Sequence, residues 1–233
     1  MPVKNELLGT LLGDSYIGAN KGKYSFRVDH CPEQLDYLNH IADILRETYN
    51  KHVSVYFRNN RNIHCLYMHG DQFKDFREKY YPNNKKSLKT ILEDITDPTT
   101  ALAYWLMDDG CIHYSTKNPN MLSPRFLLAT CAESDDSLEF IKGWLKKHFD
   151  VDAYITIQKN HARQKAWPLI KFTVGDSCRI WSKVRHKIIH IPSMKHKFRI
   201  AEQEFKREFY RSKYLHESWT PQVGENVCRT SAE

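Results

Sequence analysis

The sequence predicts an α+β protein made of two pseudo-symmetric halves, with antiparallel sheets flanking a central two-helix interface. Two observations lead to this prediction. An apolar nonapeptide that ends in an acid occurs twice, at Leu7–Ser15 and at Leu102–Gly110. After each copy a similar order of patterns follows, with strand, helix, hairpin, helix and basic loop. Such repetition is typical of an internal duplication, in which each half forms one helix-and-sheet layer pair.

The second nonapeptide predicts an unusual helix. Residues 102–107 carry no charge, and they run directly into Asp108, Asp109 and Gly110. An ordinary surface helix would show a polar face at intervals of three to four residues. This pattern therefore indicates a helix that is buried on nearly all sides and whose C-terminal end places an acid at a functional site.

The first nonapeptide carries two glycines on one helix face, Gly9 and Gly13. Glycine inside a helix costs ~1 kcal/mol relative to alanine, so two of them need a physical reason. We expect them to allow the second motif helix to approach closely. Aligning the two copies places Asp14 opposite Asp109, so each half contributes one acid to a site at the interface.

Periodicity and turn residues predict the remaining elements. The first half is expected to contain a helix over residues 4–14, a strand at Tyr24–Asp29, a helix after Pro32, a hairpin joining 53–58 to 63–69 and a helix after Asp71. The second is expected to contain strands near 111–116 and 125–131, a helix capped by Ser134, a hairpin pairing Tyr154–Lys159 with Leu169–Val174, and helices at Gly175–Ile189 and 198–215. We accordingly divide the chain into halves at 1–95 and 96–215 and a polar tail at 216–233.

The composition narrows the possible partners. Lys and Arg number 35 against 28 Asp and Glu, which gives a formal net charge of +7 and a sequence pI of about 9.0. A basic balance is consistent with a nucleic-acid partner, because phosphate contacts release counterions. It does not by itself identify one, since many basic proteins bind no nucleic acid.

Cysteine spacing and hydropathy exclude two further classes. None of the six cysteines is paired in a C-x-x-C spacing, which disfavours a structural zinc site. The sequence contains no secretory signal pattern, and it has no apolar run near the roughly 20 residues that a membrane helix needs. We therefore expect an intracellular protein with free thiols, in the cytoplasm or in an organelle matrix.

Both nonapeptides resemble the motif of the LAGLIDADG homing endonucleases, in the single-chain form that carries two copies. The second copy, with its Ala-Tyr-Trp-Leu-Met-Asp-Asp-Gly sequence, is most similar to the omega-intron branch known from yeast mitochondria. The resemblance implies LAGLIDADG-type halves with DNA-binding sheets, and a monomer that cuts both strands of a specific DNA site. It further implies cleavage across the minor groove that leaves short 3′ overhangs.

The chemistry implied by the resemblance assigns roles to a few residues. Phosphodiester hydrolysis needs an activated water and relief of charge on the leaving oxygen, which Mg²⁺ supplies, with Mn²⁺ as a plausible substitute. By motif position, Asp14 and Asp109 are the expected metal ligands and catalytic acids, and Asp108 has a supporting or structural role. Lys86 and Lys197, each in a loop where proline precedes lysine, are the expected catalytic lysines, although neighbouring lysines leave the exact residue open.

Polar strand faces and hairpin loops are expected to contact a DNA target of roughly 20 base pairs, because a two-stranded ribbon fits the major groove. The expected DNA-binding residues are Ser25, Arg27, Asp29, Ser54, Tyr56, Arg58, Arg61, Tyr154, Thr156, Gln158, Arg163, Lys165, Lys171 and Thr173.

Two other functions are compatible with the same scaffold. One is a group I intron maturase that binds the host intron RNA without an enzymatic step, and the other is a DNA-binding protein that does not cut. The presence of both acids and both lysines favours the nuclease.

Overall fold

The computed structural model describes residues 3–114, 124–130, 135–160, 165–195 and 198. The first set of elements is α1 (Asn5–Leu12), β1 (Tyr16–Asn20), β2 (Lys23–His30), α2 (Leu35–Tyr49), β3 (Ser54–Arg58), β4 (Ile63–His69), α3 (Gln72–Tyr80) and α4 (Leu88–Glu93). The second set is α5 (Pro98–Asp109), β5 (Gly110–Tyr114), β6 (Pro124–Ala129), α6 (Asp135–Phe149), β7 (Tyr154–Asn160), β8 (Lys165–Lys171) and α7 (Val174–Ile188).

Two four-stranded antiparallel sheets repeat one topology. The first has the order β1-β2-β4-β3 and the second the order β5-β6-β8-β7. In each, the strand that follows the motif helix lies at one edge and the later hairpin completes the sheet. The α+β fold with two related halves is therefore confirmed.

Strand boundaries are where the sequence-based prediction was least accurate. Strand β1 was not predicted, because its five residues offer too short an alternation between apolar and polar positions. The second hairpin was predicted to return at Leu169–Val174, but β8 spans Lys165–Lys171. Pro168 is tolerated in β8 because the register with β6 begins only at Leu169.

A few predicted features lie outside the described residues. They are the Ser134 cap, Arg163, Lys197, the helix over 198–215 apart from Phe198, and the tail at 216–233. Phe198 itself is buried and packs against Phe126 and Trp181.

Helix α5 lies in the centre of the core. Every residue from Thr100 to Met107 is buried, and Trp105 is among the largest fully buried side chains. Burying such a side chain stabilises the fold by ~2–3 kcal/mol. The prediction of a motif helix buried on nearly all sides is confirmed.

Among the described residues, no helix has the length and apolar composition needed to cross a bilayer.

The two motif helices pack against each other through the glycines of α1. A Cβ atom added at Gly9 would lie 2.7 Å from the Cβ of Tyr104, and one added at Gly13 would lie 2.7 Å from Oδ2 of Asp108. Real Cβ atoms do not approach their neighbours so closely, so any larger residue would push the helices apart. The predicted reason for the two glycines is confirmed.

Replacing Gly9 with alanine should therefore destabilise the protein. We expect the free energy of unfolding to fall by about 1–3 kcal/mol, because the added methyl group overpacks the contact with Tyr104. Gly143, inside α6, is the matched control, since a Cβ added there meets nothing within 4 Å. Gly143→Ala should leave stability unchanged or raise it by about 0.5–1 kcal/mol. Urea unfolding monitored by tryptophan fluorescence measures both, and equal effects of the two substitutions would contradict the close contact.

Candidate functional site

Asp14 lies immediately beyond the C-terminal end of α1. The helix closes with a hydrogen bond from the Gly13 amide to the carbonyl of Gly9 at 3.3 Å, and the Ser15 amide donates to Thr10 at 3.0 Å. The amide of Asp14 instead donates to Oδ2 of Asp108 at 3.2 Å. The carboxylate of Asp14 is 45% exposed, so it faces solvent from the interface between the motif helices.

Asp108 is the buried member of the site. Its side chain is 0% exposed, and its Oδ1 accepts a hydrogen bond of 2.9 Å from the hydroxyl of Tyr37 on α2. Burial raises the pKa of Asp108 well above its ordinary value, the charge of Asp14 raises it further, and the Tyr37 hydrogen bond opposes both. Burial and then the nearby Asp108 raise the pKa of Tyr37, so its hydroxyl stays protonated and donates. Both oxygens of Asp108 are hydrogen-bonded, and its supporting or structural role stays a prediction.

His30 was not selected from the sequence, yet it lies between two carboxylates. Its Nδ1 is 3.9 Å from Oδ2 of Asp14, and its Nε2 is 3.6 Å from Oδ1 of Asp108. The ring of His30 packs against that of Tyr37, with centroids 5.1 Å apart and an angle of 52° between the ring planes. The available signal was positional, because His30 continues the inward-facing set of Phe26 and Val28 along β2. An inward histidine near a motif acid could have been noticed on that ground.

The donor set at the two helix ends fits a hard divalent cation. Asp14, His30 and Asp108 offer ligand atoms that all lie within 4.8 Å of one another. Asp109, the other predicted metal ligand, is half-buried at the end of α5 and is not one of these three residues. Carboxylate oxygens that combine with waters and phosphate oxygens suit Mg²⁺ and Mn²⁺. The two ring nitrogens of His30 face different carboxylates, so its imidazole lies between Asp14 and Asp108.

Lys86 reaches the same helix end from the basic loop of the first half. Its Nζ donates to the carbonyl of Gly13 at 2.7 Å and to that of Ser15 at 3.2 Å. These are the residues immediately before and after Asp14. The next residue, Ser87, caps α4 and fixes the direction of the loop. The corresponding Lys197 lies outside the described residues. Its loop is attached to the first half where the Ser193 amide donates to Asp36 on α2 at 2.9 Å.

The first sheet presents a polar, concave face. Strand residues from β1 to β4 line one shallow depression, and they include the predicted Arg27, Asp29, Ser54, Tyr56 and Arg58. The guanidinium of Arg27 lies 4.5 Å from the ring centre of Tyr67 and donates to its hydroxyl at 3.1 Å. Such contacts hold the long side chain in one orientation over the face. The predicted Arg61 is exposed in the turn between β3 and β4.

Ser25 does not belong to the exposed set, which corrects the prediction. It is 1% exposed, because Arg27 lies over it and donates from Nε to its Oγ at 3.0 Å. Gly18, the cross-strand neighbour of Ser25, has no side chain, and this leaves room for the guanidinium. Ser25 is on the predicted face but supports Arg27 from below.

The second sheet shows the predicted strand face in part. Tyr154 is 38% exposed, Thr156 is half-buried, and Gln158 is exposed with its Oε1 accepting from Trp167. Lys165 begins β8 and Lys171 ends it. Thr173 was predicted to lie on this strand, but that prediction was wrong. Its hydroxyl caps the N-terminus of α7 by accepting from the Asp176 amide at 3.1 Å, because the strand ends two residues earlier.

A comparison with protein families identifies the scaffold. The model of the LAGLIDADG DNA endonuclease family matches residues 5–179, which is most of the chain. The protein belongs to this family. The homing endonuclease I-WcaI bound to its DNA recognition sequence has a similar structure, with 23% identity over 83% of this chain and 84% of that one, and a TM-score of 0.63. I-DmoI in complex with DNA and Mn is less similar, at 14% identity over 77% and 94% of the chains and a TM-score of 0.48.

Helix α5 depends on its N-cap for its position. Oδ1 of Asp97 accepts from the amides of Thr99 and Thr100 at 3.1 Å each, and Oδ2 accepts from the Thr100 hydroxyl at 2.5 Å. Burial alone would raise the pKa of Asp97, but the hydrogen bonds from Thr100 outweigh it and lower the pKa. Asn5 on α1 connects the two helix starts by accepting from the amides of Thr96 and Asp97.

Removing this cap should reduce stability in a pH-dependent way. We expect Asp97→Ala to lower the free energy of unfolding by about 1–2 kcal/mol at pH 7. Because the folded pKa is lowered, the charge contributes fully above the unfolded value of about 3.9 and its contribution is lost as pH falls through the folded pKa. Asp97→Asn keeps the capping oxygen and should remove the pH dependence. Urea titrations between pH 3 and pH 7 measure the free energy of unfolding of the wild type and both variants. A difference between the wild type and Asp97→Ala that stays constant with pH would contradict this role.

Proposed function

We propose that the protein is a site-specific double-strand DNA homing endonuclease that hydrolyses phosphodiester bonds with a divalent metal ion and leaves short 3′ overhangs. The observation that carries the proposal is the hydrogen bond from the Asp14 amide to Asp108, because it brings together the two helix ends that carry Asp14 and Asp109. Family membership and the similarity to I-WcaI, which is bound to its DNA recognition sequence, support the same conclusion.

In this proposal Asp14 and Asp109 hold Mg²⁺, for which Mn²⁺ can substitute. The bound ion supplies an activated water and stabilises charge on the leaving oxygen. Lys86, and Lys197 in the second half, place a positive charge beside the scissile phosphate. Lys86 is suited to this role because its two carbonyl contacts fix its ammonium group next to Asp14. An ordered cation stabilises developing negative charge without reorganisation.

The two sheets would bind a DNA target of roughly 20 base pairs, one half-site each. Arg27, Asp29, Ser54, Tyr56 and Arg58 would read base edges in the first half-site, where Arg27 is already oriented by Tyr67. Arg61, Tyr154, Thr156, Gln158, Arg163, Lys165 and Lys171 complete the proposed DNA-binding set.

Both motif copies lie in one chain, so the proposed active form is a monomer with halves at 1–95 and 96–215 and a tail at 216–233. The similarity of the second motif to the omega-intron branch further suggests an intron-encoded enzyme.

Replacing either acid should abolish cleavage while leaving binding intact. The substrate is a duplex recovered by selection from a randomised library in the presence of Mg²⁺. We expect Asp14→Asn or Asp109→Asn to reduce cutting of at least one strand by about 100-fold or more, since several kcal/mol of transition-state stabilisation are lost with a metal ligand. Asp75→Asn, an exposed acid on α3, is the control and should cut normally. Full activity of both active-site variants would refute the proposal, and tight binding of the wild type without any cut would favour a maturase or a DNA-binding protein.

The two neighbouring lysines of the first basic loop should differ in their effects. Lys86→Met should lower the single-turnover cleavage rate by about 100-fold, because an ordered charge beside the phosphate is lost. Lys85 is exposed, so Lys85→Met should only weaken binding and reduce the salt dependence of affinity by about one phosphate contact. Rates at saturating protein and affinities at several salt concentrations separate the two effects. If Lys85→Met lowered the cleavage rate and Lys86→Met did not, the catalytic role of Lys86 would be refuted.

A further inference from the structure

The two motif copies are unequal at one aligned position. Asp108 in the second copy stands where the first copy has Gly13. The structure brings these two aligned residues face to face across the helix interface, and the Asp108 carboxylate lies over the space that the missing Gly13 side chain leaves open. The second motif helix therefore extends the buried carboxylate of Asp108 toward the first motif helix. Gly13 has no side chain with which to make the reverse contact.

This carboxylate fixes the backbone of one acid. At the end of α1 the amides on either side of Asp14 bond to carbonyls of their own helix. The Asp14 amide bonds across the interface to Oδ2 of Asp108 at 3.2 Å. Since the amide is only a few bonds from the carboxylate of Asp14, holding the one restricts the position of the other.

Tyr37 in turn orients Asp108. Its hydroxyl donates to Oδ1 at 2.9 Å, so both carboxylate oxygens have a defined direction. Tyr37 is 0% exposed and its ring contacts those of His30 and Tyr104, which fixes the hydroxyl. His30, between the Asp14 and Asp108 carboxylates, completes the group from β2. Tyr37 and His30 belong to the first half of the chain, as Asp14 does.

Asp109 cannot receive the same support from α1. The aligned residue there is Gly13, which has no oxygen in a side chain to accept from the Asp109 amide. We propose that Tyr37 and Asp108 are positioning residues for Asp14, so that weakening their contact slows the strand cut through Asp14 more than the other strand. This inference rests on the proposed nuclease function and goes beyond it, because it assigns to two residues an effect on one strand.

The test compares cutting of the two strands separately. A duplex target labelled differently on each strand is incubated with saturating protein and Mg²⁺, and the two cleavage rates are measured for the wild type, Tyr37→Phe and Asp14→Asn. We expect Tyr37→Phe to shift the ratio of the two rates by about tenfold or more, since small displacements of a reacting group have large kinetic costs. The strand slowed should be the one that Asp14→Asn slows more, and nicked DNA should accumulate.

Tyr80→Phe is the matched control. Tyr80 is also buried, and its hydroxyl donates to a carboxylate, that of Asp94 at 2.6 Å, which is not one of the motif acids. It should lose stability as Tyr37→Phe does and keep the wild-type ratio of strand rates. A general loss of stability slows both strands equally, so the ratio is the readout that a purely structural role of Tyr37 would not change.

A second pair of variants tests the acceptor itself. Asp108→Asn retains a side-chain oxygen for the Asp14 amide, whereas Asp108→Ala retains none. Alanine should therefore shift the strand ratio more than asparagine, in the same direction as Tyr37→Phe.

Two results would overturn the inference. In one, the wild type cuts but Tyr37→Phe slows both strands alike or neither. In the other, Asp108→Ala keeps the wild-type ratio. A wild type that cuts neither strand would instead overturn the proposed function itself.

Discussion

The approach of the two motif helices determines most of the other features of the structure. Gly9 and Gly13 leave no room for a side chain between α1 and α5, so the helices pack backbone to side chain at Tyr104 and Asp108. That contact joins the two sheets into one core, and it places both helix ends at the same point. The helix ends meet there because Gly9 and Gly13, the latter directly before Asp14, carry no Cβ atoms.

The same contact explains why a carboxylate is buried there. Burying a charge in a core costs free energy unless hydrogen bonds compensate for it. Asp108 has such partners in Tyr37 and the Asp14 amide, while burial raises its pKa well above the ordinary value. A group that lowers stability yet lies beside a working site is typical of a functional constraint. We infer that in this protein the constraint is the placement of Asp14.

Local patterns predicted those parts of the fold that local chemistry determines. The paired nonapeptides, the all-round burial of α5 and the reason for Gly9 and Gly13 were predicted correctly from residue type and spacing. The short edge strand β1 was missed because five residues carry little periodicity, and β8 was predicted to begin and end later in the chain than it does. Contacts between distant segments could not be predicted from either pattern. The position of His30 between two carboxylates and the burial of Ser25 beneath Arg27 depend on how the strands and helices pack together.

The most direct test of this account is a selection with the wild-type protein on a library of randomised duplexes in Mg²⁺, followed by sequencing of both ends of every cut. The account predicts a narrow family of sites of roughly 20 base pairs, each cut on both strands with short 3′ overhangs, and no cutting when the metal is chelated. Cuts scattered without a common sequence, blunt or 5′-extended ends, or cutting that persists in chelator would contradict it.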